Sequence, residues 1–477
     1  MLAWFCALEF AACGHVTLNQ RLDATAPSVS VRCLQVPPDP RCQTPRGALV
    51  GFAVSGGGSR AARYTAAIFE QLDHVSVKPA DAEVRLMDEV DVISSVSGGS
   101  VASAYYVARR PTAPLRPDQA ESDKFWPQFK SDMETDFECS MVTATIFNPA
   151  NWSPSRSLSD VMAGRFAAKL YGELTLSDIA TRAADPANGV PYLLINTTLY
   201  DGPHDKDANS DVWGRKFVFT GLPSHRFVST AYRFGGGSVL DSAIEPVLLS
   251  NLASDWTSYP LARAVMSSAT FPLVFRPLYV RDYAREPPVD VPLGDGGLYD
   301  NQGIETLLES TLEYVNDPAK ARRLFIIAID GSAPYAFSGS NFDEVPASVS
   351  IMERRASLFA QRYYEQSVLP NLPDAKTDPR VRILFVHFAD PALAAIDQGK
   401  YLKLRAIGTR FHIAAEDVTL LDWSVHTQFS GGFKKQWYPG GPEQTLREAI
   451  EDSLKWAAER PMRPSRMNPA GGEDGHL

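Results

Sequence analysis

Short apolar runs of strand length recur along the chain and are separated by stretches with helical periodicity. The runs lie at 48–54, 90–94, 191–198, 324–330 and 381–388. Apolar runs of this length, bounded by turn-forming residues, predict buried β-strands. Strands that alternate with helices predict a parallel sheet with right-handed crossovers. The pattern therefore predicts an α/β protein.

Apolar positions spaced three to four residues apart predict the helices. These positions fall in 61–72, 101–107, 158–172, 261–269, 303–315, 347–369 and 443–458. A further short run at 216–219 extends the predicted sheet. The Gly- and Ser-rich stretch 222–258 predicts a surface loop, and a proline-rich loop is predicted from Val280 to Leu293.

The length of 477 residues fits either one large domain with insertions or two domains. We see no internal repeat and no low-complexity linker, which favours one elaborated domain. We expect a signal-type segment and extended leader at 1–46 and a core at 47–330. A continuation of the same domain is expected at 331–460, followed by a mobile tail at 461–477.

Two of the predicted strand-to-helix turns consist of small residues. They are SGGGSR at 55–60 and SVSGGS at 95–100. A buried strand that ends in such a turn and opens directly into a helix is the geometry of a nucleophile elbow. In the second turn, Ser97 would present its hydroxyl at a helix N-terminus. We interpret Ser97 as a candidate nucleophile for acyl transfer.

The first turn offers backbone donors for a developing oxyanion. Gly56, Gly57 and Gly58 allow N–H groups to point into one concavity in front of the next helix. Such a loop is also compatible with phosphate binding. However, no Gly-Lys-Ser/Thr follows, and the spacing does not match a dinucleotide fingerprint. Arg60 is placed either to orient this loop or to neutralise a phosphate head group.

The general base is not settled by the residues alone. A triad in the order Ser…Asp…His is compatible with His387, His412 or His426, although none of these lies in a glycine-bearing turn. Asp295 precedes two glycines and is the other candidate. It could act on Ser97 directly if burial raised its pKa.

Charge and composition narrow the choice of partner. A formal net charge of -10 argues against nucleic acid as the main partner. A lipid surface remains compatible with local basic and aromatic patches, for which 400–405 and 433–438 are candidates. We favour a solvated helix face and a core edge for these two segments. No stretch of 18 or more apolar residues predicts a spanning helix. No Cys/His cluster has zinc spacing. Acyl transfer through a serine needs no metal or organic cofactor, and none is expected.

The N-terminus suggests an envelope location. Its apolar start and the small residues before Gly14 resemble a bacterial lipoprotein signal, with Cys13 as the lipidated residue. The absence of an early Lys or Arg and the presence of Glu9 argue against this, and a cytoplasmic location is the alternative. Cys33 and Cys42 would fit a disulfide in an oxidising compartment and free thiols in a reducing one.

Four blocks of the sequence, taken together, resemble the patatin-like phospholipase family. They are SGGGSR (55–60), SVSGGS (95–100), SSATFPLVFRP (267–277) and DGGLYDNQG (295–303), and they occur in the order of the family. The resemblance spans roughly 46–330. It implies a three-layer α/β/α fold with a mainly parallel central sheet and helical insertions, which makes 47–330 a patatin-like catalytic core.

The resemblance also implies a Ser–Asp dyad without histidine. By motif match, Ser97 would be the nucleophile and Asp295 the base, with Gly56, Gly57 and Gly58 as the oxyanion loop. Arg60 matches the basic residue that closes this loop. The usual first glycine of the elbow is replaced by Ser95, which would be strained if that position required a positive φ.

The function expected from these features is hydrolysis of lipid carboxylic esters through an acyl-enzyme, as in a phospholipase A or lysophospholipase. One alternative is a Ser-His-Asp esterase of the α/β-hydrolase class. Another is a non-enzymatic envelope protein that binds lipid or acts as a scaffold.

Overall fold

An eight-stranded mixed sheet forms the middle layer of the molecule in a computed structural model. The structure describes residues 15–22, 48–77, 84–111, 119–153, 155–185, 188–200, 214–222, 246–272, 274–316, 323–333 and 379–458. The strands are β1 (Ala48–Val54), β2 (Val92–Val96), β3 (Tyr192–Leu199), β4 (Arg215–Phe219), β5 (Leu278–Asp282), β6 (Val289–Asp295), β7 (Arg323–Asp330) and β8 (Val381–His387).

Five of the strands run parallel in the order β8-β7-β1-β2-β3. β6 pairs antiparallel with both β3 and β5, and β4 pairs antiparallel with β3. β8 lies beyond the predicted core in the chain but belongs to the same sheet as the strands of that core.

Helices cover both faces of this sheet because the central strands are apolar on both sides. On β7, Phe325, Ile327 and Ile329 pack into one hydrophobic core, while Leu324 and Ile326 pack into the other. The result is the three-layer α/β/α arrangement with a mainly parallel sheet that the family resemblance implies.

The helices lie between and after the strands. They are α1 (Gly58–Asp73), α2 (Ser97–Arg109), α3 (Gln119–Met133), α4 (Phe137–Phe147), α5 (Leu158–Phe166), α6 (Leu176–Ala184), α7 (Leu261–Ser268), α8 (Gly297–Asp300), α9 (Ile304–Asn316), α10 (Gln398–Arg405), α11 (Ala415–Phe429) and α12 (Leu446–Ala458). The helix predicted at 158–172 ends at Phe166 and continues as a π-helical turn, Ala167–Tyr171.

One loop prediction is wrong, and a second is wrong for a described part of its range. The predicted proline-rich loop forms the antiparallel pair β5–β6, in which Val291 and Leu293 are buried. The prolines and acidic residues around these positions mask their period-two pattern in the sequence. Within the predicted surface loop 222–258, Leu248, Leu249 and Leu252 are buried, because a short 3-10 helix turns them inward.

Several expectations concern residues outside the described ranges. These are the lipoprotein-type segment with Cys13, the Cys33–Cys42 pair, the glycines at 235–237, the helix at 347–369 and the tail at 461–477. Among the described helices, none has both the length and the apolar character needed to cross a bilayer.

Candidate active site

Two strands meet end to end along one edge of β3. β2 runs parallel to β3 and ends at Val96 opposite Asn196, while β6 runs antiparallel and ends at Asp295 opposite Thr197. β4 pairs with the stretch of β3 that contains both positions, so it occupies the opposite edge. The sheet therefore directs Ser97, which follows Val96, toward Asp295.

Ser97 begins α2 with a left-handed backbone. Its φ is 48°, a conformation that residues other than glycine rarely adopt. Its N–H donates to Ser268 Oγ at 2.8 Å, and its Oγ donates to Asp295 Oδ2 at 3.0 Å. The positive φ thus belongs to Ser97, whereas Ser95 lies within the extended strand β2. The replacement of glycine by Ser95 creates no strain of this kind.

Asp295 is buried, with 2% of its surface exposed. The N–H of Gly297 donates to its Oδ1 at 2.8 Å, so each carboxylate oxygen accepts one hydrogen bond. Burial raises the pKa of Asp295 to about 7, although the hydrogen bonds from Gly297 and Ser97 act in the opposite direction. This carboxylate can therefore exchange a proton near neutral pH.

The predicted glycine loop faces Ser97, but its three glycines differ in backbone conformation and in hydrogen bonding. Gly57 and Gly58 have positive φ values of 137° and 60°, and they stand at the start of α1, where N–H groups lack an intrahelical acceptor. The N–H of Gly56 instead donates to Asn301 O at 3.1 Å. A Cβ on Gly98 would lie 2.0 Å from Gly58 O, so the glycine loop and the elbow are in backbone contact.

Arg60 points away from solvent and holds the glycine loop against the C-terminal part of the chain. It is 2% exposed, and its guanidinium donates to Gly331 O (2.8 Å), Ile407 O (2.5 Å) and Thr409 Oγ1 (3.1 Å). The N–H of the preceding Ser59 donates to Arg410 O at 2.7 Å. Residues 406–413, here called the strap, therefore lie directly on the glycine loop.

Ser268 and Asn196 also support the elbow, and the sequence analysis predicts no role for either. Ser268, in the quoted block 267–277, accepts the Ser97 N–H and donates to Asn196 O at 2.6 Å. Asn196 donates through its side chain to Ser94 Oγ and Ser95 O, both at 2.9 Å. Their roles depend on strand pairing, which the sequence does not reveal.

The candidate histidines lie elsewhere. His387 ends β8, which is separated from β2 by β7 and β1, and its Nε2 is 3.1 Å from Ser332 O. His412 lies 3.5 Å from Asp136, and His426 is exposed on α11. Within the described ranges, no histidine forms a hydrogen bond with Ser97 or Asp295. The same ranges contain no group of three or more His, Cys, Asp or Glu residues arranged to hold a metal ion.

A small apolar pocket adjoins the glycine loop and the elbow. Gly58 and Gly98 form one wall, and Phe137, Phe166 and Phe411 are among the residues that line the remainder. Phe411 belongs to the strap, so this segment contributes to the pocket as well as to the loop.

A serine at a strand-to-helix elbow thus faces a buried carboxylate in a three-layer α/β/α fold. The family model for Patatin-like phospholipase matches residues 52–308. The chain therefore belongs to the patatin-like phospholipase family, a family of lipid ester hydrolases, and has the patatin fold.

Other comparisons give weaker similarities. No curated protein matches the chain in sequence. Human GIVD cytosolic phospholipase A2 is 15% identical with a TM-score of 0.42, over 86% of this chain and 63% of that one. Its complex with methyl gamma-linolenyl fluorophosphonate is 13% identical with a TM-score of 0.42, over 96% and 63%. VipD from Legionella pneumophila is 12% identical with a TM-score of 0.26, over 86% and 70%. The chain thus spans less than two thirds of the human enzyme.

Proposed function

We propose that this protein hydrolyses carboxylic esters of lipids, as a phospholipase A or lysophospholipase does, through a Ser97–Asp295 dyad. The observation that carries the proposal is the 3.0 Å hydrogen bond from Ser97 Oγ to the buried Asp295 carboxylate. A base must lie within hydrogen-bond reach of the proton that it removes, and it works best when its pKa is near the operating pH. Asp295 meets both conditions.

In the first half of the reaction, Ser97 Oγ attacks the ester carbonyl carbon while its proton passes to Asp295. The tetrahedral oxyanion accepts hydrogen bonds from the N–H groups of Gly57 and Gly58. When the C–O bond breaks, the proton on Asp295 passes to the leaving alkoxide, which departs as an alcohol. The acyl group then remains on Ser97.

In the second half, Asp295 removes a proton from water as the water oxygen attacks the acyl-enzyme. The tetrahedral intermediate collapses, Asp295 returns the proton to Ser97 Oγ, and a fatty acid is released. The same carboxylate therefore acts as base and then as acid in each half, and no external co-reactant besides water is consumed.

We assign Arg60 to positioning of the glycine loop rather than to binding a phosphate head group. All three of its nitrogens donate to protein oxygens, and its guanidinium packs 5.0 Å from the ring of Phe388. Its burial also lowers its pKa to about 10, with partial compensation from Asp330 and Asp417. A phosphate would have to displace these contacts to reach it.

Hydrolysis of phospholipid, lysophospholipid and neutral ester by the wild-type protein and by Ser97→Ala tests the proposal. We expect the variant to lose turnover on every substrate that the wild type cleaves. A fluorophosphonate probe should label the wild type and not Ser97→Ala. Hydrolysis that survives Ser97→Ala would refute the proposal, and folded wild type that neither hydrolyses esters nor reacts with the probe would favour a non-enzymatic role.

A further inference from the structure

A group of large apolar side chains is exposed at the C-terminal end of α4 and in the turn after it. Phe147 is 78% exposed, Trp152 64% and Ile146 48%. The buried residues of α4 are Phe137 and Met141, both nearer the start of the helix. Three large apolar residues close together in sequence form a patch of the kind that marks an interaction site. We call Ile146, Phe147 and Trp152 the apolar end of α4.

The turn that carries Trp152 is fixed to the helix. Trp152 Nε1 donates to Thr145 O at 2.7 Å, and Asn151 Nδ2 donates to Ala144 O at 3.0 Å. Because the indole N–H is already satisfied within the protein, the ring can enter an apolar medium without leaving a donor unpaired. These bonds also satisfy carbonyls in the last turn of the helix, which would otherwise need water.

The charge distribution around this region suits a lipid surface. No charged residue occurs between Glu138 and Arg156. The next acidic residue after Arg156 is Asp160, which is buried and paired with Arg263. The exposed apolar residues therefore lie in a stretch without acidic side chains and next to one basic side chain, although the whole chain has a net charge of -10. Arg156 donates to Asn151 Oδ1 at 2.8 Å and so lies beside the exposed aromatics, where a basic residue favours anionic lipid head groups.

The same helix leads from this surface to the proposed active site. Phe137, its first residue, lines the apolar pocket beside Gly58 and Gly98. A helix of 11 residues is about 16 Å long. One continuous element therefore connects the exposed aromatics with the wall of the pocket next to Ser97.

The basic and aromatic segments singled out in the sequence are less suited to this role. Phe433 and Trp437 are buried, and Lys435 forms an ion pair with Asp390. Leu402 is the exposed apolar residue of the 400–405 segment, at 53%. The favoured interpretation of 433–438 as a core edge agrees with this burial.

We propose that the apolar end of α4 docks the protein on a lipid bilayer, with Arg156 favouring an anionic surface. This inference rests on the proposed lipid hydrolase function. A soluble, monomeric ester can reach Ser97 by diffusion and needs no docking. A lipid in a bilayer reaches the site efficiently only when the protein is held at the surface.

The test compares one double variant with two controls. Phe147→Ala/Trp152→Ala removes the aromatic surface, Val289→Ala truncates another exposed residue on β6, and Leu402→Ala truncates the competing segment. Each protein is assayed on p-nitrophenyl butyrate below any aggregation and on vesicles of phosphatidylcholine with phosphatidylglycerol. Vesicle binding is measured by co-sedimentation in the Ser97→Ala background, and thermal unfolding monitors folding.

We expect the double variant to lose vesicle binding and vesicle hydrolysis by about tenfold or more, with unchanged hydrolysis of the soluble ester. Val289→Ala and Leu402→Ala should behave as the parent protein. Unchanged vesicle binding in the double variant would overturn the inference, as would a selective loss in Leu402→Ala. A concentration-dependent dimer that the double variant abolishes, with vesicle binding intact, would make the patch a self-association surface instead. If the hydrolase proposal itself is wrong, neither the parent protein nor any variant will cleave the soluble ester. That outcome is distinct from a failure of the docking inference.

Discussion

Ser97 Oγ donates to Asp295 Oδ2 at 3.0 Å although the two residues are 198 positions apart in the chain. Their proximity results from backbone pairing, because β2 and β6 end at adjacent positions, Asn196 and Thr197, of β3. The pairing of the strands therefore sets the relative position of Ser97 and Asp295. Further support comes from Thr198 Oγ1, which donates to the backbone oxygen of Asp295 at 2.8 Å.

Removal of either member of this pair should abolish most of the activity. Ser97→Ala and Asp295→Asn should each lower kcat by roughly 10³-fold or more, because one loses the nucleophile and the other its base. The double variant should be no worse than the poorer single variant, since both act in one step. Steady-state kinetics on a soluble ester measures this, and additive losses would show that the two residues act independently.

The rate should depend on pH through Asp295. A base is active when it is deprotonated, and burial raises the pKa of Asp295 to about 7. The value of kcat/KM should therefore rise about tenfold per pH unit below this point and level off above it. A pH–rate profile on a soluble ester provides the measurement. A constant rate from acid to alkaline pH would contradict the assignment.

The same buried carboxylate should reduce stability at neutral pH. A pKa that is higher in the folded protein than in the unfolded chain means that the folded state loses stability as pH rises from about 4 through about 7. Asp295→Asn removes the ionised form and should stabilise the protein by about 1 kcal/mol or more at alkaline pH. The gain in stability from Asp295→Asn should be smaller at acid pH. Thermal unfolding at several pH values measures this, and a gain that does not depend on pH would exclude this cause.

A side chain in the glycine loop should impair catalysis. A Cβ on Gly58 would lie 2.3 Å from Arg410 O, and the positive φ there is unfavourable for alanine. Gly58→Ala should lower kcat by about 10²-fold or more through displacement of an oxyanion donor. Gly164→Ala is the matched control, because nothing lies within 4 Å of its Cβ position in the exposed part of α5. It should leave kcat unchanged, and equal losses in both variants would refute the proposed role.

Two neighbouring buried arginines on α1 allow the role of Arg60 to be separated from stability. Arg60 donates to the strap and to Gly331, whereas Arg63 pairs with Glu134 and Asp422. Arg60→Met should destabilise the fold because it leaves the carbonyl oxygens of Gly331 and Ile407 unpaired, and Arg63→Met should do so because it removes two ion pairs. Arg60→Met should in addition lower kcat of the folded protein with little change in KM. If Arg63→Met lowers kcat to the same extent, Arg60 has no specific positioning role.

The sequence predicts the local parts of this site better than their assembly. Ser97 and the glycines stand at strand-to-helix turns, where small residues and flanking apolar patterns are informative. Asp295 emerges from the four blocks taken together, since an aspartate before two glycines is by itself ambiguous. The hairpin that carries it is not apparent, because Pro287, Pro288 and Pro292 interrupt its alternation. Ser268, Asn196 and the strap act through long-range contacts, which no local pattern encodes.

The strap also changes what counts as the functional unit of this chain. The family model matches 52–308, yet carbonyls at 407 and 410 hold the loop that faces Ser97. A fragment ending near residue 330 would retain every recognisable motif and lack part of the wall behind the glycines. The motifs alone therefore do not make a complete site, because the strap supports the glycine loop from outside them. Two relatives with identical motifs can differ in reactivity if the distant segment that completes this wall has diverged.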